Sequence, residues 1–429
     1  MKLISTLMAI VVITVAALFL RNLEGQPFLG TAPEPAQTDE AFQAALNTLR
    51  NFPATQLVQE VSVDPHTITM NQKSLKLTLI DHLITASKVR SEQITNPDGS
   101  QSVVWFGNLE PHATVQPEIP QWQDPLNSIT LVKAGQTITG TIRQGSKLYE
   151  IRPIGPDRHV VVVLDGAKMP PEQDHSDRPK PPANKNKSVT PKAPARTSNP
   201  ALTNIDVMTV VPQKTVSEYQ GDMMALMQLA VALANQSYIN SLIGIRLQLV
   251  AYHVTDYVPQ GAFPGLDLIR LQNPDDGYMD DSIRVRNETA ADVVIYIYRA
   301  APASDGSQSC GQALQNGSTA DTAFAMVNYE CIANFTFAHE IGHLQSARHE
   351  IDSDPSQTPY PFGHAYRFSV GGNMWHTIVG TQPNPPTSQR LNLWSNPDIH
   401  YEGVPMGDAE TADNHRVLEL TKSAVSGYR

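Results

Sequence analysis

The chain has 429 residues, 41% of them hydrophobic, and a formal net charge of −11. That length has room for at least two folded units, and that hydrophobic content supports real cores. A net acidic chain is a poor match for a phosphate backbone, so nucleic acid is not an expected partner.

Lys2 precedes an apolar stretch from Leu3 to Leu20, interrupted by Ser5, Thr6 and Thr14 and closed by Arg21. A basic start and an apolar run mark a secretory signal peptide, but no Ala-x-Ala cleavage site follows. About 20 apolar residues can also span a bilayer as an uncleaved anchor. Residues 1–21 are therefore read as a signal peptide or signal anchor, and the protein is expected to be exported, periplasmic or secreted. The only membrane contact expected is this segment. No cysteine lies in it, so a lipid-modified N-terminal cysteine is excluded.

Residues 22–54 read as a Gly- and Pro-rich spacer with a short helix over 39–50. From 55 to 168 the signals are strands: VQEVSV, ITLVKAG, TITGTI, KLYEIRPI and HVVVVLD, separated by Gly, Asn-Pro and Asp-Gly breaks. This predicts a compact, mostly β domain. Residues 169–204 read as a linker. From Met169 to Pro200 proline recurs, aromatics are absent, and Arg178, Lys180, Lys185, Lys187, Lys192 and Arg196 meet no acid after Asp177. Such a stretch is solvated and proline-stiffened.

From Ile205 strands and helices alternate. DVMTVV is a strand, residues 215–241 a long helical stretch, RLQLVAYHV a second strand, 280–291 a polar helix and DVVIYIY a third strand. AFAMVNY, over 323–329, is expected to be an edge strand, and a last helix lies near 408–427. The order predicts an α/β (α+β) domain over 205–429 with a twisted mixed sheet. Met223, Met224 and Met227 are ordinary helix core. The only two cysteines, Cys310 and Cys331, precede the next helix closely. In an exported protein an even pair invites a disulfide, worth roughly 3 kcal/mol for a loop of this size. Two unrelated buried thiols are the alternative.

The run HEIGHLQSARHE, residues 339–350, decides the chemistry. On a helix, positions four apart share a face, so His339 and His343 can present two imidazoles to one metal ion. A catalytic zinc site keeps three protein ligands and leaves the fourth position to water. Glu340, one step round the helix, stands where a general base is needed. His349 would fall about 240° away if the helix continued. It can ligate Zn²⁺ only if the helix stops soon after Leu344 and the chain turns back. Asn334 is the expected N-cap, and Phe335, Ala338, Ile341 and Leu344 the expected buried contacts.

The spacing H-E-x-x-H-x-x-G-x-x-H, with a methionine turn further on, is that of the metzincins. The chain resembles them at every position but one, where Ser346 replaces the turn glycine, at a cost of roughly 1–2 kcal/mol in a left-handed conformation. Across 205–429 it resembles the reprolysin-like (adamalysin-type) metzincins, especially their bacterial branch. Cys310-Gly311, Asn373-Met374-Trp375 and the tail WSNPDIHYEGVPMGDAETADNHRVLEL carry that likeness. The resemblance implies a structural Met374 packed beneath the three histidines. It places His376 where several relatives have a tyrosine, as an auxiliary group or an ordinary loop histidine. His364 and His400 are expected to be non-ligands. Residues 120–170 resemble the family's propeptide region.

The function expected is an exported zinc metalloendopeptidase acting on protein or peptide substrates laid along the 323–329 strand. A non-catalytic zinc-containing recognition domain that keeps the protease fold is the alternative. A peptidase with a distant glutamate ligand, Glu350 or Glu402, would leave His349 unexplained. The 55–168 unit is either a propeptide removed by cutting in the linker or a retained accessory domain. A cysteine block of the zinc is impossible, so an inhibiting propeptide must cover the cleft or offer a ligand such as Asp165, Asp174 or His175.

Overall fold

A computed structural model describes residues 27–32, 40–80, 82–155, 158–173, 201–259, 264–299, 308–383 and 386–429. The expected signal or anchor segment, and most of the expected linker, lie outside the described residues. Among the described residues no helix is long and apolar enough to cross a membrane.

The N-terminal strands close into a barrel. Its members are β1 (Leu29–Thr31), β2 (Thr55–Val63), β3 (Ser74–Leu79), β4 (His82–Thr95) and β5 (Gln101–Leu109), then β7 (Asn127–Ala134), β8 (Thr137–Gln144), β9 (Lys147–Pro153) and β10 (His159–Leu164). The order is β1-β2-β10-β9-β8-β7-β5-β4-β3, closed by Leu29 pairing with Leu77. Closure leaves no exposed sheet edge. Trp105, Leu131, Ile142 and Ile151 belong to the apolar cluster that fills the barrel strands. Helix α1 (Glu40–Arg50) packs Phe42, Leu46 and Leu49 against Val58 and Val162.

The C-terminal region is built on a five-stranded mixed sheet. Its strands are β11 (Thr203–Pro212), β12 (Ile245–Thr255), β13 (Val293–Tyr298), β14 (Gly311–Ala313) and β15 (Phe324–Asn328), ordered β12-β11-β13-β15-β14. All neighbours are parallel except β14, which runs antiparallel to β15. The expected edge strand at 323–329 is therefore internal, and β14 forms the edge. The disulfide explains this arrangement: bonding Cys310 to Cys331 brings the chain ahead of β14 back beside the end of β15.

The helical stretch 215–241 breaks at Gln220, held at φ 58°, into α2 (Gln213–Tyr219) and α3 (Met223–Asn240). Asp222 caps α3 by accepting from the Ala225 N–H. This helix is buried on nearly every side, as expected of a helix that is apolar all round. It lies between the sheet and the barrel strands β5, β7 and β8. Helices α4 (Pro264–Gln272) and α5 (Asp280–Glu288) follow, then α6 (Thr336–Leu344) and α7 (Asn414–Val425). Two small sheets complete the region. One joins β16 (Arg367–Val370), β17 (Asn373–His376) and β18 (Ser388–Arg390); the other joins β19 (Asn396–Tyr401), β20 (Val404–Met406) and β6 (Val115–Gln116), from the loop between β5 and β7.

Candidate active site

Helix α6 carries the site. It starts from Phe335, held at φ 64° with no side-chain cap, rather than from Asn334, which ends the preceding 3-10 turn. Ala338, Ile341 and Leu344 face the core as their spacing requires. Gly342 is needed for packing, because a methyl group there would meet the Trp394 ring at 2.5 Å.

The helix ends at Leu344 and the chain reverses. Ser346 sits at φ 76°, the left-handed conformation that the turn position demands. Its strain is offset around it: the Ser346 and Ala347 N–H groups bond back to His343 O and Gly342 O at 2.9 Å each. Gly317 and Ser318 N–H groups satisfy His343 O and Leu344 O at 2.8 and 2.7 Å. Arg348 then pairs with the 363–365 segment, and His364 Nδ1 donates to His349 O at 2.8 Å. His364, expected to be a non-ligand, thus positions the backbone of His349.

The reversal brings His349 to the helix. His343 Nε2 lies 2.9 Å from His339 Nε2 and 3.1 Å from His349 Nε2. The opposite nitrogens fix the tautomer. His339 Nδ1 meets Ile378 O and His343 Nδ1 meets Ala347 O, each at 2.8 Å. A carbonyl only accepts, so both Nδ1 atoms carry the proton and both Nε2 atoms offer a lone pair. Lone pairs converging this closely repel unless a cation lies among them. Three nitrogens on a tetrahedral zinc at about 2.05 Å would stand ~3.3 Å apart, close to the observed spacing. The residues fit a metal ion, and they form a group able to hold one. Burial, then the Arg390 charge, holds the His339 pKa well below its ordinary value, which keeps the ring neutral as a ligand must be.

The Glu340 carboxylate is fully buried and lies against β14. A side chain on Gly311 would collide with it, so glycine at the edge strand makes its room. Burial first, and the nearby Glu172 carboxylate second, push its pKa well above the ordinary value; Arg390 and the Ala313 N–H act in the opposite direction.

Several expected placements change. Met374 does not lie beneath the histidines: it is 39% exposed on β17, opposite Ser369 and Ser388. The reason is strand alternation, which turns Trp375 inward and Met374 outward. Residues 378 and 379 are the ones that meet helix α6. Ile378 O holds His339, and Val379 reaches within 3.1 Å of where a Gly342 Cβ would lie. His376 is buried, with Nδ1 2.8 Å from Ser388 Oγ. Glu350 is engaged elsewhere, accepting from Thr381 and lying 3.2 Å from Arg367. Cys310 and Cys331 are disulfide-bonded, with Cα atoms 5.5 Å apart.

The N-terminal side also differs from expectation. Asp165 caps the short turn after β10 and accepts from Ala167, while Asp174 and His175 lie outside the described residues. Residues 169–173, read as solvated linker, are placed against the C-terminal region. Met169 is buried with Cys310 and Cys331, and Pro171 and Gln173 hydrogen-bond to Cys310 and Gly311. Glu172 meets Arg390 at 2.6 Å. Neither residue was found from sequence. Glu172 sits in a proline-rich run and Arg390 in the polar segment TSQR, and no local spacing marks either.

Residues 201–395 match the family model described as metallo-peptidase family M12. A peptidyl-Asp metalloendopeptidase of Xanthomonas campestris pv. campestris is 41% identical over 411 residues, covering 94% of each chain. One from Stenotrophomonas maltophilia is 43% identical, covering 90% of each. A third, from Pseudomonas fragi, is 34% identical over 199 residues, which are 46% of this chain and 99% of that one.

Proposed function

The chain belongs to metallo-peptidase family M12 and is a metalloendopeptidase; from that premise we propose that it is a zinc enzyme cutting proteins or peptides at aspartyl residues. His339, His343 and His349 hold Zn²⁺ in this reading, on a metzincin-type catalytic domain over 205–429. When bound, zinc supplies a Lewis acid that polarises a carbonyl and acidifies water. Glu340 takes a proton from the attacking water onto its carboxylate and delivers it to the leaving amine nitrogen. The substrate backbone takes the place of residues 171–173 along β14, the outermost strand of the sheet, by strand addition. The aspartyl preference comes from the relatives, each named a peptidyl-Asp metalloendopeptidase.

The observation that carries the reading is the convergence of the three Nε2 atoms, with Nδ1 of His339 and His343 held by backbone carbonyls. A purely structural site has no use for the Glu340 carboxylate beside its ligands. The disulfide agrees with an oxidising, exported location. The barrel acts as a propeptide-like unit, with the cut to release it falling between residues 174 and 204.

The test is Glu340→Gln. It is expected to keep bound zinc, measured by metal analysis, while hydrolysis of a peptide library falls at least about 10³-fold. Near-wild-type, chelator-insensitive hydrolysis would sink the assignment. His349→Ala is expected to lower zinc content and activity together.

A further inference from the structure

Residues 169–173 leave the barrel and run beside the start of the edge strand. Cys310 N–H donates to Pro171 O at 3.0 Å, and Gln173 N–H donates to Gly311 O at 2.9 Å, so the two chains ascend side by side. Between these bonds Glu172 points inward, its side chain only 6% exposed. Its Oε1 accepts from Arg390 Nη1 at 2.6 Å and from Thr336 Oγ1 at 3.3 Å. Arg390 is 2% exposed. Its Nη1 also donates to Asn334 O at 3.1 Å and its Nη2 to Gly380 O at 2.9 Å.

Every one of these anchors belongs to the catalytic neighbourhood. Asn334 and Thr336 flank the start of the helix that carries His339, His343 and Glu340. Gly380 lies two residues after Ile378, which orients His339. Gly311 accepts from Gln173 and abuts the Glu340 carboxylate.

We propose that Arg390 is the specificity-determining residue of this cleft, receiving a carboxylate side chain of the substrate, and that Glu172 fills the same pocket in the intact chain. This rests on the aspartyl-directed peptidase reading and names the group responsible for it. Among the described residues Glu172 is the one carboxylate within ion-pairing distance of Arg390. Among the described residues of the C-terminal region, the guanidinium hydrogen-bonds to two backbone carbonyls, and Glu340 attracts it at longer range without an ion pair. An arginine cannot shed its proton, and a buried charge without a counter-charge is costly. When Glu172 leaves, the pocket therefore favours an anionic guest. The two carbonyls fix the planar fork before the guest arrives, which a flexible lysine would not match. A substrate amide in place of the acid leaves the charge unpaired, so discrimination of at least about 10²-fold is expected.

The full-length chain tests this with a pair of peptides differing only in Asp against Asn. Glu172→Gln is expected to raise hydrolysis of the Asp peptide at least about tenfold. It should also speed amide exchange at Gln173 and Cys310 by a similar factor, because the neutral amide loses the ion pair. Adding Arg390→Gln to Glu172→Gln should bring the Asp-to-Asn ratio of kcat/KM from about 10² to near one. Arg390→Lys, which keeps the charge should the glutamine variant fail to fold, should lower the ratio at least about fivefold. An unchanged ratio in the Arg390 variants, or unchanged exchange in Glu172→Gln, overturns the proposal. Protection of β14 amides in Glu172→Gln by the Asp peptide but not the Asn peptide supports the pocket without turnover; equal protection by both overturns it. Absent or chelator-insensitive hydrolysis in every variant would instead count against the metalloendopeptidase reading, leaving exchange and protection to judge the pocket.

Discussion

The N-terminal part of the chain meets the C-terminal region in two unlike ways. The barrel seam is broad and largely apolar: Val104, Phe106 and Val132 share one cluster with Ala225, Leu229 and Leu233 of α3. At its other side a buried ion pair joins Arg152 to Glu330 at 2.7 Å, with Arg152 lying over the Tyr219 ring. The strip of residues 169–173 is narrow, held by two main-chain bonds and the polar contacts of Glu172. Buried apolar area supplies stability, whereas a few polar bonds across a cleft supply occupancy and can be undone locally. The seam is therefore the part that docks the barrel, and the strip the part whose contacts can be released locally.

The strongest test of the seam is Arg152→Ala. It leaves the buried Glu330 with Arg299, 4.0 Å away, in place of its 2.7 Å partner and is expected to cost about 3 kcal/mol in urea unfolding. Replacing both Arg152 and Glu330 by methionine should recover most of the loss. A single-variant loss below about 1 kcal/mol would show that the pair does not hold the seam. The disulfide joins the two contacts, since Cys310 packs with barrel residues Val160 and Leu164 and also binds Pro171. Changing Cys310 and Cys331 together to serine should cost about 3 kcal/mol and also quicken exchange at Gln173. A stability loss with unaltered exchange would separate strip from seam more sharply than the geometry does.

The seam also carries a pH dependence. Glu150 is buried on β9, facing Arg152, Glu330 and Tyr219, and burial pushes its pKa up to about 7 from an ordinary 4.5. The folded state thus holds a proton that the unfolded chain has lost. The Glu150 contribution to stability is complete below pH 4.5 and is lost as pH rises towards about 7, by as much as about 3 kcal/mol. Glu150→Gln is expected to flatten that decline in denaturation measured at pH 5 and pH 8. A slope identical to wild type would remove Glu150 as its source. The smallest effect is reserved for the strip: Thr336→Val removes one 3.3 Å contact to Glu172. Global stability should change by less than about 1 kcal/mol while exchange at Gln173 rises severalfold. A global loss beyond that would mean the threonine serves the fold rather than the strip.

The legible parts of the site were those encoded at short range. The four-residue spacing of His339 and His343 follows from helix geometry, and the stop after Leu344 was required before His349 could return. Ser346 adopts the left-handed turn that its position demanded, although serine is not the residue that adopts it most readily. Met374 misled because a methionine near the expected distance carries no information about which face of a hairpin it occupies. The edge strand was misassigned because three residues, Gly311–Ala313, are too short to show a strand pattern.

By itself the sequence determined the helix with its paired histidines and acid, the need for a turn to bring in the third, the disulfide partners and the alternation of strands that builds each sheet. These depend on backbone periodicity and on residue chemistry within at most 21 positions, the separation of the two cysteines. Only the tertiary structure decided that the N-terminal strands close into a barrel, that β14 is the outermost strand of its sheet, and that Glu172 meets Arg390 across 218 positions of chain. Such contacts arise where separately formed elements dock, and no local pattern in either segment records which partner the other will bring.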